Sequence, residues 1–524
     1  MKIKNKILLY MLPMLLLAVN SLLAQTISSV TGKVTDAKNG NPIEGVSVTV
    51  KGTTTGTSTD VSGNYNIKIS SNNAVLVFSF VGYSDQEVPA NKSAIDIKLS
   101  TSEVSNLNDV VVIGYGTQRK KDVTGSIAKV TGEQITTIAA PSFEASLQGK
   151  APGVQVTQGS GLAGSGSVIR IRGIGSISAA GDPLYVIDGI AIYQDNFQQG
   201  NSGGMNLNPL AAINPNDIES IEILKDAGAT GIYGSRGANG VILVTTKRGK
   251  IGKLSVNYNN KLGAVTYANR PDFLSNREYL AIRQEAYTND GNSGYPDLNG
   301  GVSWNKAMAT NTDWWDLLTR VGMINEHSLG VNFGNKLVRS YVGAVYSDNQ
   351  SYLKDNSYTR AGLRANLDFN FSPKFKVLLN GAYNRGINKR VPAAWAGGLG
   401  DAMSTALPYY PVYNDDGTYF TGGSNPVRRL NETKWRNYDD RVLAGLTLEY
   451  KPIKNLVIRA QGSLDYFNTM DYQYESAEWL QRTDVPGIAK ANPYWGTNWQ
   501  ANVTAQYDFN VTENSKMSVM VGTE

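Results

Sequence analysis

At 524 residues the chain is too long for one ordinary core, so several domains are expected, and 18% charged residues is low. Glycine is abundant at 54 residues, and 28 tyrosines against 12 phenylalanines suit boundaries between apolar and wet surroundings better than the interior of a cytoplasmic enzyme. The absence of cysteine excludes disulfides, thiolate zinc sites and cysteine nucleophiles; the formal charge of +5 falls to +2 without Lys2, Lys4 and Lys6, which gives no case for nucleic acid.

The chain opens with a basic stretch, MKIKNK, an apolar run, ILLYMLPMLLLAV, and a small residue, Ala24. That order predicts a signal peptide over 1–24. No other run is long and apolar enough for a membrane helix, so any membrane crossing must be built from strands. Residues 28–100 follow as short alternating strands (VTGKVTD, VSVTVKG, NYNIKIS, AVLVFSF, AIDIKLS) with turns at Gly63 and Gly82. They predict a small β-sandwich of structural or docking character. Residues 101–117 read as a linker, TSEVSNLND, running into an apolar strand with Val110, Val111, Val112 and Ile113. A lone strand needs an edge to pair with. It is either the first strand of the next domain or a strand offered to another protein by β-augmentation.

Residues 118–249 read as a mixed α+β unit. FEASLQGK is a short helix ended by Gly149; VQVTQ, SVIRIRG, PLYVIDG and VILVTTKRG are strands. Gly159, Gly161 and Gly164 satisfy a GxGxxG pattern, but a strand follows where a dinucleotide site needs a helix, so no cofactor is expected. The glycines at 228, 231, 234, 237 and 240 have collagen's period without its proline and read as tight turns and close backbone approaches. Acids at 182, 188, 217, 219, 222 and 226 show no spacing that singles out an acid–nucleophile pair. They read instead as partners of nearby cations. Arg170, Arg172, Asp188, Glu219, Glu222 and Arg236 are the candidate latches of a domain that must stay folded yet detach from a surrounding wall.

After Gly249 long alternating strands take over, at 254–260, 324–334, 338–348, 358–371, 375–385, 441–451, 456–469, 501–511 and 515–522. Short turns join some of them, and long excursions, notably 386–440 and 470–500, join others. A helix-like stretch at 273–289 sits in one such excursion. That asymmetry predicts an antiparallel transmembrane β-barrel, of which about nine or ten strands are present, roughly half of what would enclose the preceding domain. The chain therefore reads as an N-terminal part of a longer protein. His327, the only histidine, lies in an alternating strand, so neither a Ser-His-Asp set nor a histidine-rich metal site is available. No catalytic residue and no metal site are predicted.

GKAPGVQVTQGSG, RIRGIGSI, DPLYVIDG and NPNDIESIEILKDAGATGIYGSRGANGVILVTTKRG resemble the plug of TonB-dependent outer-membrane transporters, specifically the SusC/RagA class of Bacteroidota. The preceding sandwich resembles the carboxypeptidase-regulatory-like domain of that class, and LNDVVVIGYGTQ resembles its TonB-contacting segment. The resemblance implies a barrel of about 22 strands, begun here over 250–524 and closed by the plug. It implies active import of a large nutrient, an oligosaccharide or a peptide, driven by TonB with ExbB and ExbD and assisted by a SusD-like surface lipoprotein. It assigns Leu107 and Val110 to Ile113 to TonB contact, with the N-terminal domain on the periplasmic side of the outer membrane. Substrate-contact candidates are Tyr193, Gln194, Asp195 and Asn196 after the VIDG turn, and Trp314 and Trp315 in an excursion, where loop-core or membrane-girdle roles compete with sugar stacking. A receptor that only reports occupancy, and a secreted glycan-binding sandwich, are the alternative classes.

Overall fold

The computed structural model describes residues 29–524 except 38, 54, 70–73, 81–82, 101–109, 114–115, 120–125, 138–142, 159–160, 176–180, 193–212, 392–398, 482–483 and 513–514. The predicted signal peptide, Leu107, Tyr193, Gln194, Asp195 and Asn196 lie outside the described residues. The chain divides into two compact units, residues 1–110 with 119–122, and residues 111–118 with 123–524.

The first unit is a sandwich. Strand β1 (Ser29–Asp36) pairs with β4 (Asn64–Lys68) antiparallel and with β7 (Ile97–Leu99) in parallel. The facing sheet runs β3 (Gly56–Ser58), β2 (Ser47–Val50), β5 (Val75–Ser79), β6 (Gln86–Pro89). Alternation places Val30, Val34, Val48, Ile67, Leu76 and Phe78 in the shared core, nearly or wholly without solvent contact. Gly32 lets β1 approach the Ile95 carbonyl, where any Cβ would collide.

In the second unit, β8 (Val110–Ile113) pairs with β9 (Gly116–Arg119) as a two-stranded ribbon. It is not a member of the sheet that follows. That sheet has the order β10 (Ile127–Thr131), β15 (Ile218–Leu224), β16 (Val241–Thr246), β13 (Leu184–Ile187), β14 (Ile190–Ala191). The stretch NPNDIESIEILKD resolves into a short 3-10 turn, Pro215–Asp217, and then strand β15. β11 (Val154–Gln158) and β12 (Ser167–Ile171) form a separate hairpin. Ile169, Ile187, Ile218, Ile221 and Ile242 fill the core between them. The glycine-triplet stretch packs as a helical turn, Ala227–Thr230, and a 3-10 segment, Gly231–Gly237, with Gly234 and Gly240 at positive φ. A Cβ on Gly240 would meet Ile171 at 2.6 Å, so this glycine serves close approach as well as turning.

Nine strands then run consecutively and antiparallel: β17 (Gly252–Val265), β18 (Gly322–Gly334), β19 (Val338–Gln350), β20 (Ser357–Ser372), β21 (Phe375–Arg390), β22 (Thr433–Tyr450), β23 (Leu456–Ser476), β24 (Gly487–Thr512) and β25 (Ser515–Thr523). β20 shows the design. Tyr358, Arg360, Arg364, Asn366 and Asp368 point to one face and are buried; Leu363 and Phe371, on the other, are 56% and 63% exposed. That is the polar-inside, apolar-outside alternation of a barrel wall. The plug domain lies against the polar face, with hydrogen bonds to strands from β17 (Asn259–Asn216) to β24 (Asn498–Ala191). Two predicted excursions are shorter than expected. β21 runs on to Arg390 and β22 begins at Thr433, while β23 and β24 pair over residues that read as a loop. Both faces of these extensions bear polar residues and tyrosines, so the apolar period that marks a strand in lipid is missing there.

Candidate functional site: the seam between plug and wall

Turns bring the seam's key acids to the wall. Asn214 caps the Pro215–Asp217 turn by accepting from the Asn216 amide at 3.1 Å, and this presents Asp217 to β19 and β20. Tyr341 donates its hydroxyl to Asp217 Oδ1 at 2.8 Å, and Arg364 Nε lies 3.7 Å from Asp217 Oδ2. Asp188, held at φ 49° in the β13–β14 turn, accepts from the Thr246 amide at 3.0 Å and from the Thr246 hydroxyl at 2.6 Å. Its Oδ2 is also 3.6 Å from Arg364 Nη1. One buried wall guanidinium thus bridges two plug carboxylates that are distant in sequence. Burial pushes the Asp217 carboxyl above its usual range, against the opposing pull of Arg364 and the Tyr341 hydrogen bond.

Around this bridge the wall offers donors and acceptors to plug backbone. Asn366 Nδ2 donates to Thr246 Oγ1 at 2.8 Å and to the Lys247 carbonyl at 2.7 Å. Arg360 donates to the Ile213 carbonyl at 3.1 Å while pairing with Glu326 at 3.5 Å, and Glu326 accepts from Asn216 at 3.0 Å. Asn356 Oδ1 accepts from the Ala163 amide at 2.9 Å, and Arg248 pairs with Asp368 at 2.7 Å. Asn498 donates to the Ala191 carbonyl at 3.2 Å. Glycines make room: a Cβ on Gly343 would fall inside contact distance of Asp217 Oδ1, and one on Gly189 would strike Gln461. Among the described residues of the wall, only Ala382 and Leu443 join the plug's buried apolar core. At one end the seam opens into a cavity of about 520 Å³ where Lys247, Arg248, Lys250 and Lys253 face Glu219, Asn257, Asn259 and Asn332.

The six sequence-predicted latch residues divide. Asp188 reaches the wall, and Arg236 reaches Glu524 at the end of β25, 2.9 Å away. Arg170 pairs with Asp182 at 2.5 Å and Arg172 pairs with Asp226, so both tie the plug to itself. Glu222 is buried within the plug and accepts from Ser220 at 2.8 Å. Glu219 meets Lys250 at 3.6 Å near the surface. The wall partners Arg360, Arg364, Asn366 and Asp368 were not singled out from sequence. Their signal is the row of charged and amide side chains on one face of YTRAGLRANLDFNF, opposite a row of apolar ones.

Residues 119–241 match the TonB-dependent Receptor Plug Domain family, and residues 30–113 match the CarboxypepD_reg-like domain. The chain is 35% identical over 518 residues to a TonB-dependent receptor of Formosa agariphila, covering 96% of this chain and 49% of that protein. It is 33% identical over 531 residues to the TonB-dependent receptor SusC of Bacteroides thetaiotaomicron, covering 97% and 50%. The chain belongs to the SusC/RagA class of TonB-dependent outer-membrane receptors. It spans about half the length of the curated relatives it matches. The RagAB peptide importer in its open-open state shares the fold, with a TM-score of 0.68 and 23% identity over 79% of this chain and 48% of that one.

Beyond the long ends of this SusC-class wall the connections fold into a helical module. Ser275 and Glu278 form a capping box at the start of the helix Asn276–Asn289. Leu280, Trp314, Leu318, Tyr409, Tyr410 and Phe420 form the module's core. Trp314 and Trp315 are 4% and 5% exposed, and Trp314 Nε1 donates to the Leu407 carbonyl at 2.9 Å. Trp315 packs edge-on against Tyr267. These two rings are largely buried in the loop core, the role that competed with sugar stacking, and both also border the neighbouring cleft. This cleft of about 460 Å³ is lined by Trp314 and Trp315 together with Arg270, Phe273, Tyr279 and Asn311, the last four of which did not stand out in the sequence.

Proposed function

We propose that this receptor imports a large nutrient, an oligosaccharide or a peptide, across the outer membrane, with the plug as its gate. TonB, energised by ExbB and ExbD, would pull on Leu107 and Val110 to Ile113, and a SusD-like surface lipoprotein would act as lid. No catalytic step and no cofactor enter this reading. The observation that carries it is the make-up of the seam. A permanent domain interface is built of apolar surface, and separating one exposes that surface to water. Here hydrogen bonds and ion pairs dominate on both sides, from Arg364 and Asn366 to Asp188 and Asp217. Polar groups exchange protein partners for water at modest net cost, so this interface is suited to parting and closing again.

Two features support the force-bearing role of 107–113. β8 is paired with β9 and stands apart from the plug sheet, which favours the strand-offering reading of its sequence. The RagAB relative is described as a peptide importer, which supports import as the activity and peptide as one substrate class. Tyr193, Gln194, Asp195 and Asn196, one residue beyond β14, remain the proposed substrate-facing residues. The test is energised uptake after replacing Val111 and Val112 by proline, which removes two ladder donors. Uptake should fall to background with normal surface expression. Unchanged uptake would refute the TonB-contact assignment.

A further inference from the structure

The outward faces of β21 and β22 carry the inference. Their register pairs Phe375 with Tyr450 and Tyr383 with Val442. Between these limits the outward positions are Val377, Leu379 and Gly381 on one strand and Leu448, Leu446 and Ala444 on the other, all apolar. Eight residues span roughly 27 Å of strand, or about 21 Å of height at a tilt of ~40°, close to the usual apolar band of an outer-membrane wall. The next outward positions change character at once. They are Arg385, Ile387 and Lys389 on β21, and Asp440, Tyr438, Arg436 and Lys434 on β22, four cations against one acid. Their outward direction follows from their neighbours: Arg390 stacks over the Trp435 ring at 4.0 Å and pairs with Asp471 on the inner side.

Lys389 and Arg436 stand directly opposite each other in the ladder. Like charges so placed repel. Two carboxylates are near: Asp440 pairs with Arg385 at 3.8 Å, and Asp355 pairs with Arg436 itself at 3.7 Å. The ammonium groups of Lys389 and Lys434 have no hydrogen bond or ion pair among the described residues, and both side chains are exposed. Tyr383 and Tyr438 lie on the same face, each with one end suited to lipid and one to water.

We infer that Lys389, Lys434 and Arg436 form a lipid-headgroup site that takes the phosphate of a phosphorylated glycolipid seated against the apolar outer face of β21 and β22. The phosphate supplies Lys389 and Lys434 with the anion that Asp355, paired with Arg436, does not, and the acyl chains lie along Leu379, Leu446 and Leu448. The site is on the outside of the wall, separate from the seam and from any substrate path.

The test uses the receptor extracted from outer membranes in detergent and native mass spectrometry of retained lipid. The probes are a phosphorylated glycolipid, its dephosphorylated counterpart and inorganic phosphate. Wild type should retain the phosphorylated glycolipid, and the K389Q/K434Q variant should retain it about thirtyfold more weakly, as expected for losing two cations near an anionic surface. The K389R/K434R variant should keep retention, and unchanged heat-modifiable migration of all variants shows that each is folded. Equal retention by wild type and K389Q/K434Q would overturn the proposal. So would equal retention of the dephosphorylated glycolipid, which would leave only apolar adsorption. Displacement of the glycolipid by inorganic phosphate at matched concentration would also overturn it, by showing a free-anion site instead of a lipid site.

Discussion

Arg364→Met isolates the central bridge of the seam. Methionine keeps much of the side-chain volume and removes the charge. The guanidinium is 5% exposed and lies 3.6 Å from Asp188 and 3.7 Å from Asp217. Each contact corresponds to about 4–5 kcal/mol of gross attraction at an effective dielectric of ~20, but most of that is offset by desolvation. The net cost of removing one partner of a buried pair is about 3–5 kcal/mol, because the carboxylates left behind are uncompensated. The Thr246 amide, which donates to Asp188 Oδ1 at 3.0 Å, is the natural reporter. Native-state hydrogen exchange of β16 in the purified receptor should show its opening free energy falling by about 3–5 kcal/mol. Adding Asp188→Asn and Asp217→Asn should restore a large part of the loss, since no buried charge then lacks a partner. Protection of Thr246 unchanged within about 0.5 kcal/mol would show that the bridge does not hold the plug, and the reasoning would fail.

Further predictions follow from the same geometry. Gly343→Ala places a methyl against Asp217 and should raise uptake of a bulky antibiotic through a loosened gate, whereas Gly381→Ala, which meets nothing within 4 Å, should leave permeability at the wild-type level. Because burial raises the Asp217 carboxyl, its contribution to seam stability is fully present below the unfolded value of 3.8 and is lost as pH rises through the higher folded value. Exchange protection of β15 should therefore weaken with rising pH across that window, and Asp217→Asn should flatten the slope. Trp315→Ala should destabilise the helical module by about 3–5 kcal/mol, as for other buried aromatic truncations, with proteolysis confined to residues beyond the wall strands.

The sequence was most legible where one physical constraint acts along the whole of an element. Lipid outside and polar contacts inside force a strict two-residue period, so β18 to β20 were placed nearly to their ends. Above the lipid that constraint lapses, and the far halves of β23 and β24 passed for a loop. Pairing partners were less legible for a different reason. Asp188 stood out because an acid next to glycine marks a tight turn, but its partner Arg364 lies on a strand far along the chain, and only register brings the two together. Arg170 and Arg172, adjacent on one strand face, promised a wall contact and instead close on Asp182 and Asp226, which the plug's own turns carry to them. Nothing in Trp314 and Trp315 distinguishes a binding platform from a core, because the same aromatic pair serves either, and only the structure shows both mostly buried at the edge of a cleft.

The length of β24 has a consequence for the receptor's surroundings. Its 26 residues run roughly 88 Å along the strand, and at a tilt of ~40° they reach a height of about 67 Å, well over twice the apolar band. β23 is hydrogen-bonded to it throughout, up to the Ser476–Gly487 pair. This is a stiff parapet, and it lifts the mouth of the receptor clear of the membrane surface. Whatever approaches that rim meets paired backbone well before it meets lipid.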